Sequence, residues 1–314
     1  MFTDWAVKLH TKTAQAAAAV YIDGISDSSL NANLQTLLEA GDGSVYATFG
    51  SLVSGGPVAA FSTTDLKAFL DQCGLEGMLI DNDGTHPGVV MYFQKLLEGG
   101  TREAANAGCH ISTTIENGIM VPRTIVLPHQ GQARVTAEIV GRKVGDVDPI
   151  VFSETADLPA AIYPSVSAVH TLGKVDLDGT PLDRVQNVAI ETGILLAVES
   201  SDGDRYPTKV SIAAIRPVVT VVCTKPEITA TLTEDGLGYA AEKVIIYARH
   251  RAEGGTVVAD ATATHVKFTL GKCRADWTRI DGSPKAMALT LTPWYTAGAE
   301  PVSPLAINTA SAIT

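Results

Sequence analysis

Apolar and polar residues alternate along much of the second half of the chain. Val266, Phe268 and Leu270 interleave with Lys267, Thr269 and Gly271, and Ala288-Leu289-Thr290-Leu291-Thr292 keeps the same period of two. That period sends successive side chains to opposite faces, so each segment reads as a half-buried strand. Lys174–Leu177, Thr229–Thr233 and Thr208–Arg216, the last bracketed by Pro207 and Pro217, read likewise. Asp-Gly recurs at Asp23, Asp42, Asp83, Asp178, Asp202, Asp235 and Asp281, and Asn117-Gly118 adds a further turn signal. Such dipeptides tolerate the positive φ that tight hairpins demand. Residues from about 110 to 295 are therefore expected to be mainly antiparallel β.

A period near 3.6 is confined to the first part. Ser62-Thr63-Thr64-Asp65 offers capping oxygens, Leu66, Phe69, Leu70 and Cys73 share a face, and Gly74 is a stop. The spacing predicts a helix over 63–73. Leu34, Leu37 and Leu38, ended by Gly41, predict a second over Asn31–Ala40. Val89–Leu97 fits either a helix or a buried strand, and its Val-Val-Met-Tyr-Phe start favours strand.

Ile115-Glu116-Asn117-Gly118-Ile119 is echoed by Ile190-Glu191-Thr192-Gly193-Ile194, an offset of 75 (190 − 115), and Val135-Thr136-Ala137 matches Val210-Ser211-Ile212 in character at that offset. Two β units of one design would look like this, as would chance similarity between segments of such biased composition. The acidic, proline-containing stretch Glu154–Pro164 is the best candidate boundary. It divides the chain into an α+β part (1–155), a β-rich part (156–295) and a tail (296–314). The tail carries Pro301 and Pro304, has no strong periodicity and is expected to be an extended arm.

Composition narrows the class. Of 314 residues, 46% are hydrophobic and only 18% charged, which argues against disorder. The 23 basic against 34 acidic residues give a net charge of −11, which argues against a surface that wraps DNA. Cys73, Cys109, Cys223 and Cys273 form no CxxC pair. They are expected to be buried thiols, with a disulfide as the minority alternative. Asp4 and the short Ala16–Ala19 run do not suit a signal peptide, and Val218–Cys223 falls far short of the ~18 apolar residues of a membrane span. A soluble protein of a reducing cytoplasm is expected.

Condensed catalytic motifs are missing. The seven histidines make no HExxH or HxH pair, no GxSxG elbow occurs, and Gly41-Asp42-Gly43-Ser44 lacks the lysine of a phosphate-binding loop. Asp81-Asn82-Asp83-Gly84 and Asp176-Leu177-Asp178-Gly179 crowd carboxylates, but their glycine comes at the fourth position rather than the sixth of a calcium loop, so hairpin turns explain them. The basic residues between Lys243 and Lys272 are diluted by Glu242, Glu253 and Asp260 and read as solvated strand faces or subunit contacts. No enzymatic activity, cofactor or metal is expected.

Two stretches together resemble the major tail tube proteins of long-tailed bacteriophages. The first runs from Gly173-Lys174-Val175-Asp176-Leu177-Asp178-Gly179 through Val185–Gly193 and Ser201–Thr208 to Arg216–Val221. The second is Val58–Leu66 with Gly74 and Gly77 after it. The resemblance implies a mainly β, tube-like sandwich or barrel with one or two short helices, assembled as stacked hexameric rings. It implies a lumen that DNA crosses without sticking, partners among the tape-measure and other tail proteins, and a virion tail built in the host cytoplasm. Like charges repel phosphate over ~8 Å at physiological ionic strength, so acidic lumen residues are expected. Glu116 and Glu191, at matched places in the echo, are the candidates. Asp202, Asp204 and Arg205 form a candidate inter-subunit loop. Another virion component (tail completion or head decoration) and a non-viral β-sandwich binding module are the alternatives.

Overall fold

In the computed structural model of the protein, the described residues are 2–10, 20–31, 33–39, 49–81, 88–146, 148–159, 169–201, 203–224, 239–241, 243–252, 255–280, 286–294 and 303–314. The chain starts with β1 (Phe2–His10), β2 (Val20–Ile22), β3 (Ile25–Asn31), β4 (Leu34–Glu39), β5 (Phe49–Gly55) and β6 (Val58–Thr63). Helix α1 (Leu66–Cys73) follows, then β7 (Met78–Asp81), β8 (Gly88–Lys95), β9 (His110–Ile115), β10 (Asn117–Pro128), β11 (Arg134–Gly141) and β12 (Val151–Ala156). Strands β2-β1-β8-β9-β12 form one antiparallel sheet, β3-β6-β11-β10-β7 line up in a second, and β4 pairs with β5.

The second half repeats the plan. It contains β13 (Val169–Leu177), β14 (Thr180–Pro181), β15 (Val185–Glu191), β16 (Ile194–Glu199), β17 (Lys209–Ile215) and β18 (Val218–Cys223). After these come β19 (Tyr239–Ala241), β20 (Val244–Arg251), β21 (His265–Leu270), β22 (Cys273–Ile280), β23 (Ala286–Pro293) and β24 (Leu305–Ser311). The sheet orders are β14-β13-β20-β21-β24 and β15-β18-β23-β22-β19, and β16 pairs with β17. Strand for strand these are the orders of the first half. Shifting β3, β4, β5 and β6 by 160 (185 − 25) reproduces the bounds of β15 to β18. The pairs Val151↔Thr114, Phe152↔Thr113, Ser153↔Ser112 and Ala156↔His110 return 155 residues later (306 − 151). They become Ala306↔Thr269, Ile307↔Phe268, Asn308↔Lys267 and Ser311↔His265. The chain is two copies of one β unit in tandem.

The period is therefore near 160, and the 75-residue echo does not relate the two units. That echo marks a local solution shared by two hairpins. Ile119↔Val140 and Met120↔Ile139 pair in β10–β11 as Ile194↔Ile215 and Leu195↔Ala214 do in β16–β17. At each opening the facing backbone comes too close for a side chain. A Cβ on Gly118 would lie 2.1 Å from the Val140 carbonyl oxygen, and one on Gly193 1.9 Å from that of Arg216. Asn117-Gly118 thus opens a strand and is not a turn. Asp178-Gly179 does make the β13–β14 hairpin, with φ of 51° and 83°. Asp23-Gly24 is a corner between β2 and β3, and the aspartates of the other five Asp-Gly dipeptides lie outside the described residues, as does Thr229–Thr233.

Two further expectations change. The segment expected as a helix over 31–40 contains strand β4, hydrogen-bonded to β5 from Leu34↔Gly55 to Glu39↔Phe49. Leucines three and four apart over so short a span fit either state, and the partner strand decides. The first part, expected as α+β, holds strands β1 to β12 and helix α1. The tail is no free arm: β24 runs along β21 with Leu305 buried, and the Thr314 carbonyl accepts from the Lys174 ammonium at 2.7 Å.

Helix α1 starts three residues later than predicted. Asp65 is its N-cap, accepting from the Ala68 amide at 3.2 Å, and Gly74 closes it at φ 62°. Leu66, Phe69, Leu70 and Cys73 point into the core. One continuous apolar core runs through both units, from Val7 and Ile22 to Phe268 and Leu291. None of the four cysteines is in a disulfide; Cys73, Cys223 and Cys273 are buried and Cys109 is half-buried. Among the described residues no helix is long and apolar enough to cross a membrane.

Candidate assembly interface

The two units are welded edge to edge. The C-terminal half of β10 pairs with β15, Thr124↔Glu191, Ile125↔Ile190, Val126↔Ala189, Leu127↔Val188 and Pro128↔Asn187. This joins the two five-strand sets into one ten-stranded sheet. Ile125, Leu127, Val188 and Ile190 are each 0% exposed there. The ends are locked as well. The Thr192 hydroxyl donates to the Pro122 carbonyl at 2.6 Å, and the His129 amide donates to the Gln186 carbonyl at 2.8 Å.

A second contact comes from the hairpin β16–β17. Strands β15–β16 and β17–β18 form one long bent hairpin, kinked at Gly193 (φ 60°) on the way out and before Pro217 on the way back. Its outer half leaves its own sheet and lies on the first unit, where Ile194 and Val210 pack with Ile119, Val121 and Val140. Arg123 anchors it: the guanidinium holds both Glu138 oxygens, at 3.0 and 2.8 Å, and donates to the Ile194 carbonyl. The first unit has the same bent hairpin, β3–β4 with β5–β6, kinked at Asn33 (φ 46°) and before Pro57.

The same strands end differently at the two sheet margins. By the repeat, the partner-binding half of β10 corresponds to the end of β22, since Ile125, past a bulge at Arg123 that β22 lacks, maps onto Arg279 (125 + 154), and β15 corresponds to β3, since Ile190 maps onto Leu30 (190 − 160). Among the described residues β3 pairs only with β6, and β22 beyond Ala275 pairs only with β23. Arg279 is exposed where Ile125 is fully buried, Ile280 is exposed where Val126 is half-buried, and Trp277 is exposed where Pro122 is buried. Leu30 is half-buried where Ile190 is fully buried.

The residues singled out from the sequence fall around this junction. Glu191 is exposed at the end of β15, its backbone between Thr124 and Val218. Glu116 is half-buried at the β9–β10 corner. The two are not repeat mates: their counterparts are Gly271 and Asn31. Asp202 lies outside the described residues. Asp204 pairs with Lys143 at 3.0 Å, the Lys143 amide donates to Pro207, and the Gly55 amide donates to the Arg205 carbonyl. Within one chain, then, this loop ties the second unit to the first. Lys143 is correspondingly raised in pKa, through its hydrogen bond and ion pair with Asp204.

The acidic turns serve their own backbones. Asp176 accepts from the Gly179 amide at 2.6 Å, Asp178 accepts from the Lys243 amide at 2.7 Å, and Asp81 pairs with Arg142. Among the described residues no three His, Cys, Asp or Glu side chains are grouped as a metal site would require. Two histidines hold matching loops. His110 accepts from the Lys95 amide at 3.1 Å and reaches the Ala104 carbonyl at 2.7 Å. His265 accepts from the His250 amide at 2.9 Å and reaches the Ala259 carbonyl at 3.1 Å. All three positions differ by 155.

The sequence carries this repeat in its turns. Glu-Gly-Gly-Thr stands at 98–101 and again at 253–256, each followed by Ala104 or Ala259 and by His110 or His265. Asp42-Gly43, Tyr46, Thr48, Ser51 and Pro57-Val58 return as Asp202-Gly203, Tyr206, Thr208, Ser211 and Pro217-Val218. No protein-family model matches the chain, and no curated protein matches it.

Proposed function

We propose that the protein is a structural subunit of a phage-type tail tube, polymerising as stacked rings of six β units around a conduit for DNA. Its role is mechanical, without catalysis or cofactor, and its partners are its own copies, the tape-measure and other tail proteins. Its place of action is the virion tail. One observation carries the reading: two β units share a single sheet by edge pairing, and that sheet ends in the same two kinds of edge that made the internal weld. Exposed edges of this sort aggregate unless a partner covers them, and a repeating polymer covers every one. The net charge of −11 supports it, because a conduit must not hold phosphate.

Glu116 and Glu191 remain the proposed lumen acids. Since the two do not interchange by the repeat, each contributes one carboxylate per chain to the ring. Tubes carrying Glu116→Lys with Glu191→Lys are expected to assemble but to retain DNA at low salt and slow its ejection. Normal ejection from such tubes would overturn the lumen assignment.

A further inference from the structure

We propose that the groove beside β12 is a docking site for a different protein, and that it takes a segment carrying one bulky apolar side chain among lysines or arginines. The groove is a cavity of about 240 Å³, lined by Leu30, Pro149, Ile150, Phe152 and Tyr206 among others, and Asp148 supplies its charge. That volume lies below the ~300–1,000 Å³ of a small-molecule pocket and suits a single large side chain. Phe152, 60% exposed, is the most exposed large apolar residue among the described residues, and Val151 beside it is exposed as well.

The repeat shows what such a face looks like when covered. A shift of 155 carries Asp148, Pro149, Ile150, Phe152 and Glu154 onto Ser303, Pro304, Leu305, Ile307 and Thr309. There Leu305 is buried and Ile307 half-buried, and the end of α1 lies against them. Cys73, Leu75 and Glu76 line one small cavity with Leu305 and Ile307, and the Thr309 hydroxyl donates to Asp71. Phe152 and Glu154, at the positions of Ile307 and Thr309, have no such cover and stay exposed.

Charge selects the occupant. Over the second unit the cover is acidic, through Asp71 and Glu76, and the strand beneath it is neutral at Ser303 and Thr309. At β12 the matching positions are themselves acidic, Asp148 and Glu154, and Asp146 and Asp157 are exposed close by in the chain. Among the described residues neither Asp148 nor Glu154 has an ion-pair partner; Lys143, whose charge Asp148 feels, is held by Asp204 at 3.0 Å. A cover like α1 would set carboxylate against carboxylate, whereas a cationic segment matches the groove. The inference goes beyond the tube reading and does not rest on it, since it needs only the groove and its covered counterpart.

Peptide binding to the full chain tests it. The probe is a fluorescently labelled decapeptide of alternating leucine and lysine, read by anisotropy at low salt. Saturable binding is expected, about tenfold weaker for Phe152→Ser and about threefold weaker for Glu154→Lys. Both positions are exposed, so both variants should keep the parent's melting profile. Glu98→Lys, the same charge change on an exposed turn, should bind as the parent does. Decapeptides alternating serine with lysine, or leucine with glutamate, should bind about tenfold more weakly than the probe. Absence of saturable binding, undiminished binding by Phe152→Ser, equal weakening by Glu98→Lys, or equal binding of either control peptide would overturn the site. So would a Phe152→Ser variant that sediments as a smaller species than the parent, because a second copy would then fill the groove. Tubes without peptide binding would remove only this site; peptide binding without tubes would remove only the tube reading.

Discussion

His110 and His265 do the same work in the two units. In each, Nδ1 accepts a backbone amide, so the proton sits on Nε2 and donates to an alanine carbonyl. Both rings are fully buried. Replacing either by alanine strands an amide and a carbonyl away from water, and His110→Ala or His265→Ala should each cost about 2–4 kcal/mol in urea denaturation. His170 behaves differently. It stacks on His250 with ring centroids 5.4 Å apart, and burial first, then the His250 charge, pushes its pKa down from 6.5 to about 4. Burial and His265 lower His250 too. Between pH 6.5 and about 4 the unfolded chain takes up a proton that folded His170 refuses. Stability is therefore full above that window and falls as the pH drops through it. His170→Phe, which installs the residue found at the matching position of the first unit (Phe2), should reduce that acid loss by about 1–3 kcal/mol. Melting curves from pH 7 to pH 4 check it.

At the scale of elements, the bent hairpins matter most. Outer half β16–β17 has no sheet of its own beyond two strands, so its order depends on Val210 and Ile194 meeting the first unit's face. Val210→Asp should release this hairpin without unfolding the sandwiches. Hydrogen exchange should then quicken across 194–215 while β9 and β21 stay protected. Strand β24 gives a contrasting case. Removing 305–314 strips an ordered strand from β21 and should expose Val266–Leu270 to exchange, rather than merely shorten an assembly. Alternation made β17, β21 and β23 legible in the sequence, because each has one buried and one wetter face. The cap at Asp65 and the stop at Gly74 made α1 legible in the same way. Strand β4 was not legible, since its state is fixed by β5 and by the kink at Asn33, neither of which its own leucine spacing encodes.

Over the whole molecule, the duplication is the organising fact, and the sequence hides it for a physical reason. The shift is 168 at β1 and β13 (172 − 4), 160 at the hairpins and 155 at the loops held by histidine, because connecting loops differ in length. Core strands accept any apolar residue of suitable size, so identity survives mainly where turns and buried hydrogen bonds demand one residue. The 75-residue echo misled because two different hairpins need glycine at the same close backbone approach. The weld itself was illegible: nothing in Ile125 or Ile190 alone says that they meet. A ring of six units then needs only three chains, about 99 kDa (3 × 32.9). Electron microscopy of the purified protein tests this most directly. The account expects hollow rings or tubes with six lobes in projection and three chains per ring; dispersed 32.9 kDa particles at every concentration, or compact particles without a lumen, would contradict it.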